Sequence, residues 1–188
     1  MNEELVALSK AFHFAARRHE QQRRKGQRAE PYVNHLAEVT CLLAESTAGN
    51  DTVLLIAGLL HDTVEDTATN LPELEDLFGP EVAALVAEVT DDKALPKQER
   101  KRLQVEKVRK KSERARLLKI ADKTSNLRAL VSSPPEDWSA ERIREYVTWA
   151  WQVVDGCRGL NSQLELEFDA AHQRAAKPSV APEHAIDR

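Results

Sequence analysis

The chain has 188 residues, of which 31% are charged and 41% apolar, with a net charge of -4. That length suits one domain, or one domain with a tail, and can bury a sizeable core without disulfides. Its two cysteines, Cys41 and Cys157, mark neither a disulfide framework nor a zinc cluster, and a reducing compartment is the default. Met1-Asn2-Glu3-Glu4 is not a basic region leading into a long apolar run, and no apolar run is long enough to span a bilayer. The expectation is a cytoplasmic protein with no membrane partner.

Charge is unevenly spread. Lys93 to Arg128 holds fourteen Lys/Arg against four acids, a local +10 on a remainder of -14. A basic segment on an acidic protein suits an anionic ligand better than nucleic acid. It also lacks the interleaved aromatics that stack on bases. Solvated helix faces account for most of these side chains.

Helical signals follow one another, and no repeat or alternating strand pattern stands out. About Leu5 to Arg24 reads as a first helix with an apolar stripe of Leu5, Leu8, Phe12, Ala15 and Ala16. The basic loop Arg23-Arg24-Lys25-Gly26-Gln27-Arg28 follows. His35 opens a second helix with Val39, Leu42 and Leu43 inward. After Gly49, Asn50 or Asp51 can cap a third helix. Thr67 to Leu71 is loop-like. Pro72 suits the first turn of a short helix over Glu73 to Phe78, and Gly79 its C-terminal cap. Pro80 starts a helix bearing Val82, Leu85, Val86 and Val89.

Pro96 to Lys111 is a very polar helix, surface-lying or partly mobile. Leu117, Leu118, Ile120, Ala121 and Leu127 mark a core helix ended by Pro134-Pro135. Ser139 caps the next, which carries Ile143, Tyr146, Val147, Ala150, Trp151 and Val154. A last helix covers about Asn161 to Ala175. Residues 1–175 are expected to form an all-α, single-core bundle and residues 176–188, with Pro178 and Pro182, a disordered tail.

The chain is organised around Val53 to Asp66. Eight residues without a polar side chain, Val53 to Leu60, run directly into His61-Asp62, with Glu65 and Asp66 one turn on. A segment apolar on every side is a buried helix. Its end places an imidazole and carboxylates at the core margin, where charge is costly unless paired or metal-bound. At helical spacing His61 and Glu65 share one face, and Asp62 and Asp66 the next. One reading is a metal site with acid/base groups beside it. The other is a frayed helix end with ordinary surface carboxylates. The buried lead-in and the second acidic pair favour the metal site. His35 and Asp122, on other helices, are candidates for the third and fourth ligands.

The order His35, His61-Asp62, Asp122 resembles the HD-domain metal-dependent phosphohydrolases. His19, Gln22, Arg24-Lys25, Pro31-Tyr32 and His35 look like the N-terminal signature of the RelA/SpoT-type hydrolase domain. Leu59 to Thr67 matches its central motif. Phe78-Gly79-Pro80-Glu81-Val82, Val89 to Lys93, Lys119 to Lys123 and Asn126-Leu127-Arg128 follow in the family's order. The resemblance covers roughly Leu5 to Trp151. It is closest to the stand-alone small alarmone hydrolases, metazoan members included, and 188 residues leave no room for a synthetase domain. Departures are Leu36 where the family has Pro, the loop Gln27 to Glu30, and Thr124-Ser125 in place of bulkier residues.

The resemblance implies a single-domain HD-domain helical bundle. It implies hydrolysis of guanosine tetra- and pentaphosphate, with pyrophosphate released from the ribose 3′ position. Mn²⁺ is the implied cofactor, held by His35, His61, Asp62 and Asp122. Glu65 and Asp66 would orient or deprotonate a water, one of them with a raised pKa because two adjacent carboxylates repel. Arg24 would stack on guanine. Lys25 and Asn126 would contact the nucleotide, Lys93 and Lys97 the phosphates, and Tyr32 the base or ribose, unless Tyr32 is a core-margin residue. His19 is expected to be structural, His13 ordinary, and Trp138, Trp149 and Trp151 packing residues. Two alternatives stay open: a phosphatase acting on another ribose-phosphorylated nucleotide such as NADPH, and a nucleotide-binding module without turnover.

Overall fold

The computed structural model describes residues 2–177, and the tail expectation for residues 178–188 lies outside them. Among the described residues the architecture is helical, and the one piece of β pairing is an isolated antiparallel bridge between Arg23 and Pro31. No helix there is long and apolar enough to cross a membrane.

Helix α1 (Glu3–Arg18) starts at Asn2, whose side chain accepts from the Leu5 amide at 3.2 Å. Its buried face is Ala11 and Ala15, while Leu5 and Phe12 are 61% and 46% exposed. Of the expected stripe, Ala15 is buried and Leu8 packs against the core, whereas Leu5 and Phe12 face outward. Apolar spacing marks where large side chains fall, whereas α1 meets α3 (Thr52–Leu60) closely through alanines. α1 also stops at Arg18 rather than Arg24. Residues 19–32 form a loop, fixed where the Arg24 amide donates to the Glu30 carbonyl and the Tyr32 amide to the Gln22 carbonyl.

Helix α2 (Val33–Thr47) buries His35, Leu36, Val39, Leu42 and Leu43, with His35 its third residue. Asp51 caps α3 through the Leu54 amide at 3.1 Å, a bond of the kind that contributes about 1 kcal/mol. Leu54 to Leu60 are then all buried, and each large aliphatic side chain among them contributes roughly 1.5–3 kcal/mol by leaving water.

The helical path does not continue through the acidic cluster. His61 and Asp62 form a turn, and the single-turn α4 (Thr63–Asp66) starts after it.

Asn70 caps α5 (Leu71–Phe78), and Gly79, at φ 90°, joins it to α6 (Pro80–Val89) in a conformation glycine adopts freely. α7 (Lys97–Lys107) buries no residue and runs into a 3₁₀ turn (Val108–Lys110). Helices α8 (Glu113–Ser132), α9 (Ala140–Asp155) and α10 (Ser162–Ala176) begin at the capping side chains of Ser112, Ser139 and Asn161. α8 packs on α2, α9 and α10, and α3 on α1, α2 and α6. α2, α3 and α8 thus form the middle of the molecule, and they carry the candidate ligands.

Candidate metal centre and substrate cleft

α2 supplies His35, the end of α3 supplies His61 and Asp62, and α8 supplies Asp122. One donor atom from each of His35, His61 and Asp62 falls within 4.8 Å of the others. Asp122 lies beside this group, with its Oδ1 3.5 Å from His35 Nε2, and Asp62 Oδ2 lies 3.7 Å from the same nitrogen. Both histidines are almost fully buried.

The donor set fits a divalent cation. His61 Nδ1 is 2.9 Å from the Gly58 carbonyl, which can only accept, so Nδ1 carries the proton of the neutral ring. The lone pair is then on Nε2, which is buried, has no hydrogen-bond partner, and faces Asp62 Oδ2 at 3.1 Å. A buried, unpartnered lone pair beside an anion is an unfavourable arrangement that a cation between them relieves.

Without a cation, a proton on Nε2 relieves the same arrangement. Burial pushes the His61 imidazole towards neutrality, but Asp62 and Asp122 outweigh it and hold its pKa above the ordinary histidine value. Burial wins at His35, whose pKa is lowered. Burial alone would raise both aspartates, yet His61 and His35 hold Asp62 well below the usual carboxylate range, and Lys123 and the histidines do so for Asp122.

Neighbouring side chains orient these groups. Tyr32 donates its hydroxyl to Asp62 Oδ2 at 2.5 Å, and burial together with Asp62 raises its pKa so that the proton stays on the oxygen. Asn126 donates to Asp122 Oδ1 at 2.6 Å, and Lys123 to Oδ2 at 2.7 Å. The Asn126 carbonyl in turn accepts from Arg24 at 2.8 Å.

Glu65 and Asp66 sit just past the turn. Glu65 accepts from the Asp91 amide and from Arg100, both at 3.3 Å, and burial, reinforced by Asp62, raises its pKa. Asp66 accepts from Lys93 at 2.6 Å and from Gln22 at 3.0 Å.

A cleft of about 520 Å³ lies alongside, lined by Arg24, Lys25, Tyr32, Asp66, Lys97 and Asn126 of the expected residues. Lys93 is not part of its lining and holds Asp66 instead.

The sequence reading missed several members of this cleft. Arg100, Lys101 and Gln104 line it, from one face of the otherwise polar α7. Their spacing was available as a signal, but nothing in the chain said what that face meets. Trp138 and Trp149, expected to be packing residues, line the cleft together with Tyr146. The Lys101 and Lys123 ammonium groups approach the Trp149 ring at 4.8 and 4.6 Å. Trp138 and Trp149 also pack against the core, as expected, whereas Trp151 is 43% exposed and does not. His19 is buried against Gln22, and His13 is exposed, as expected of both.

A candidate His-His-Asp metal site beside a basic and aromatic cleft, in an all-α bundle, is the arrangement of an HD-type hydrolase. The HD domain family matches residues 11–152. The chain belongs to that family and, within it, to the RelA/SpoT-type group.

It is 53% identical over 165 residues to the human guanosine-3′,5′-bis(diphosphate) 3′-pyrophosphohydrolase MESH1, covering 88% of this chain and 92% of that protein. The Drosophila melanogaster protein of the same name is 51% identical over 83% of this chain and 87% of its own. The bifunctional (p)ppGpp synthase/hydrolase SpoT of Escherichia coli K12 is 37% identical over 90% of this chain, which spans 25% of SpoT. Among solved structures, a metazoan ortholog of SpoT that hydrolyses ppGpp superposes with a TM-score of 0.86 at 47% identity, over 90% of this chain and 96% of that one.

Proposed function

We propose that this chain is a metal-dependent guanosine-3′,5′-bis(diphosphate) 3′-pyrophosphohydrolase. Water is added across the bond between the ribose 3′ oxygen and its diphosphate. The tetraphosphate yields GDP and pyrophosphate, and the pentaphosphate yields GTP and pyrophosphate. One observation carries this reading: a His-His-Asp donor cluster abutting a cationic, aromatic-lined cleft, in a chain about half identical to pyrophosphohydrolases over nearly its whole length.

His35, His61, Asp62 and Asp122 would hold the cation. Two imidazoles with two carboxylates suit a borderline ion, and Mn²⁺ is the proposed one. When bound, it supplies Lewis-acid polarisation of a phosphoryl oxygen and a more acidic water. Glu65, whose raised pKa brings it closer to working pH, accepts the proton of the attacking water. Asp66 orients that water while Lys93 and Gln22 hold its carboxylate. Arg24 and Asn126 take the guanine end. Lys25, Lys97, Arg100 and Lys101 meet the phosphates; burial, with neighbouring cations, lowers the pKa of Lys97 and Lys101, and a bound anion offsets both effects. Tyr32 keeps Asp62 aimed.

The test is incubation of purified, Mn²⁺-supplied protein with guanosine tetraphosphate, and separately with NADPH, products being separated by chromatography. GDP and pyrophosphate in equal amounts are expected. Intact tetraphosphate alongside dephosphorylated NADPH would move the assignment to the alternative nucleotide. Two intact substrates would leave a binding module.

A further inference from the structure

His35 is turned by a chain of side chains that lies outside the ligand set. His35 Nδ1 is 2.8 Å from Ser125 Oγ on α8. Ser125 Oγ lies 2.7 Å from Glu38 Oε2, one turn beyond His35 on α2. The other Glu38 oxygen accepts from Arg128 at 3.1 Å, and Arg128 also donates to Glu167 on α10 at 2.5 Å.

Counting protons fixes the direction of this chain. A carboxylate only accepts, and a serine hydroxyl has a single hydrogen. That hydrogen goes to Glu38, so Ser125 can only accept from its other neighbours. One is Arg24, whose guanidinium nitrogen lies 3.4 Å away. The other is His35, and the 2.8 Å approach is a hydrogen bond only when Nδ1 carries the proton. The neutral ring then has its lone pair on Nε2, the atom that faces Asp62 and Asp122.

We propose that Glu38 and Ser125 are positioning residues that hold His35 in the Nδ1–H tautomer and so present Nε2 to the divalent cation. This rests on His35 being a metal ligand, as in the functional reading above. It parallels the role of the Gly58 carbonyl at His61, except that the acceptor at His35 is itself oriented by a carboxylate.

The proposal separates two substitutions that a purely structural role would not. In Glu38→Gln, Arg128 can only donate and so draws the introduced carbonyl oxygen. The introduced amide nitrogen then faces Ser125 and donates to it. Ser125 loses the acceptor for its hydrogen and can turn it towards His35 Nδ1, which favours the ring proton on Nε2, against the metal. In Glu38→Ala the acceptor is lost together with the Arg128 ion pair, but Ser125 is free to rotate and the ring keeps its choice of tautomer.

Calorimetric titration with Mn²⁺ alone should therefore give a Kd raised about tenfold or more in Glu38→Gln and a smaller rise in Glu38→Ala. A Glu38→Gln variant that binds Mn²⁺ as well as Glu38→Ala overturns the proposal. A second readout uses the unaltered metal-free protein. The ¹⁵N spectrum of the His35 ring above its pKa should show Nδ1 protonated, and a proton on Nε2 overturns the assignment. His35→Ala separates this from the metal reading. Mn²⁺ binding unchanged in that variant removes His35 as a ligand and the positioning role with it, whereas binding lost there but equal in the two Glu38 variants removes the positioning role alone.

Discussion

The Tyr32 hydroxyl donates to Asp62 Oδ2 at 2.5 Å, on the oxygen that also faces both candidate metal histidines. The tyrosine belongs to the loop before α2, so one hydrogen bond ties the basic loop to the metal centre. Removing it should free Asp62 to rotate. Tyr32→Phe is expected to raise the Mn²⁺ Kd about tenfold and to lower kcat, with little change in the unfolding midpoint. Calorimetric titration and a thermal melt check both, and an unchanged Kd would deny Tyr32 this role.

Glu65 and the metal donors should separate cleanly. Glu65 bonds to Arg100 and the Asp91 amide rather than to any ligand. Glu65→Gln should leave Mn²⁺ affinity near that of the parent and lower kcat by about 10²–10⁴-fold, the usual contribution of a positioned general base. Steady-state rates beside a metal titration test this, and wild-type turnover in the variant would reassign the base.

Metal binding should depend on pH with a definite sign. The His61 pKa is raised in the metal-free protein, so the stabilisation it gains from Asp62 and Asp122 is present below about pH 6.5 and is lost as pH rises through its raised value. Mn²⁺ requires the same nitrogen unprotonated. Acidification from about pH 8 to about pH 6 should therefore weaken Mn²⁺ binding. His35, with its lowered pKa, and the depressed aspartates add little in that window. Titrations in buffers of different ionisation enthalpy would register close to one proton released per ion on the acidic side. A Kd flat across the range would contradict the charge balance described for His61.

Gly26 tests the basic loop. A Cβ there would overlap the Ser133 carbonyl oxygen and its side chain at the end of α8. Gly26→Ala should push the loop carrying Arg24 and Lys25 away from α8, at a cost of about 1–3 kcal/mol. The expected outcome is a higher KM for guanosine tetraphosphate with metal affinity nearly unchanged, and an unaltered KM would mean that the loop position does not matter for binding.

Local chemistry made much of the helical plan readable. The Val53–Leu60 run, Asp51 and Ser139 as caps, Gly79 between two short helices and Pro134 after α8 each leave a signature within a few residues. His61 and Asp62 stood out for another reason, since charged groups at the end of an apolar segment need partners, whereas His35 and Asp122 were candidates that the family resemblance singled out. What the chain did not reveal was how helices face one another. Arg100 and Trp149 come from helices with no apparent relation in sequence, and only packing brings them to one cleft. Phe12 misled because periodicity weighs side-chain size, while α1 is seated by Ala11 and Ala15. The turn at His61-Asp62 was hidden because a helix and a helix interrupted for two residues have the same apolar lead-in.

Helix α10 lies beyond residue 152, where the family match ends. Leu164 and Phe168 are nonetheless fully buried, and Glu167 anchors Arg128 on α8. A version trimmed to the matched segment would strip the rear wall from the helix that bears Asp122. Anyone shortening this protein for crystallography or fusion should keep the chain at least to Ala176, even though no residue of that last helix lines the substrate cleft.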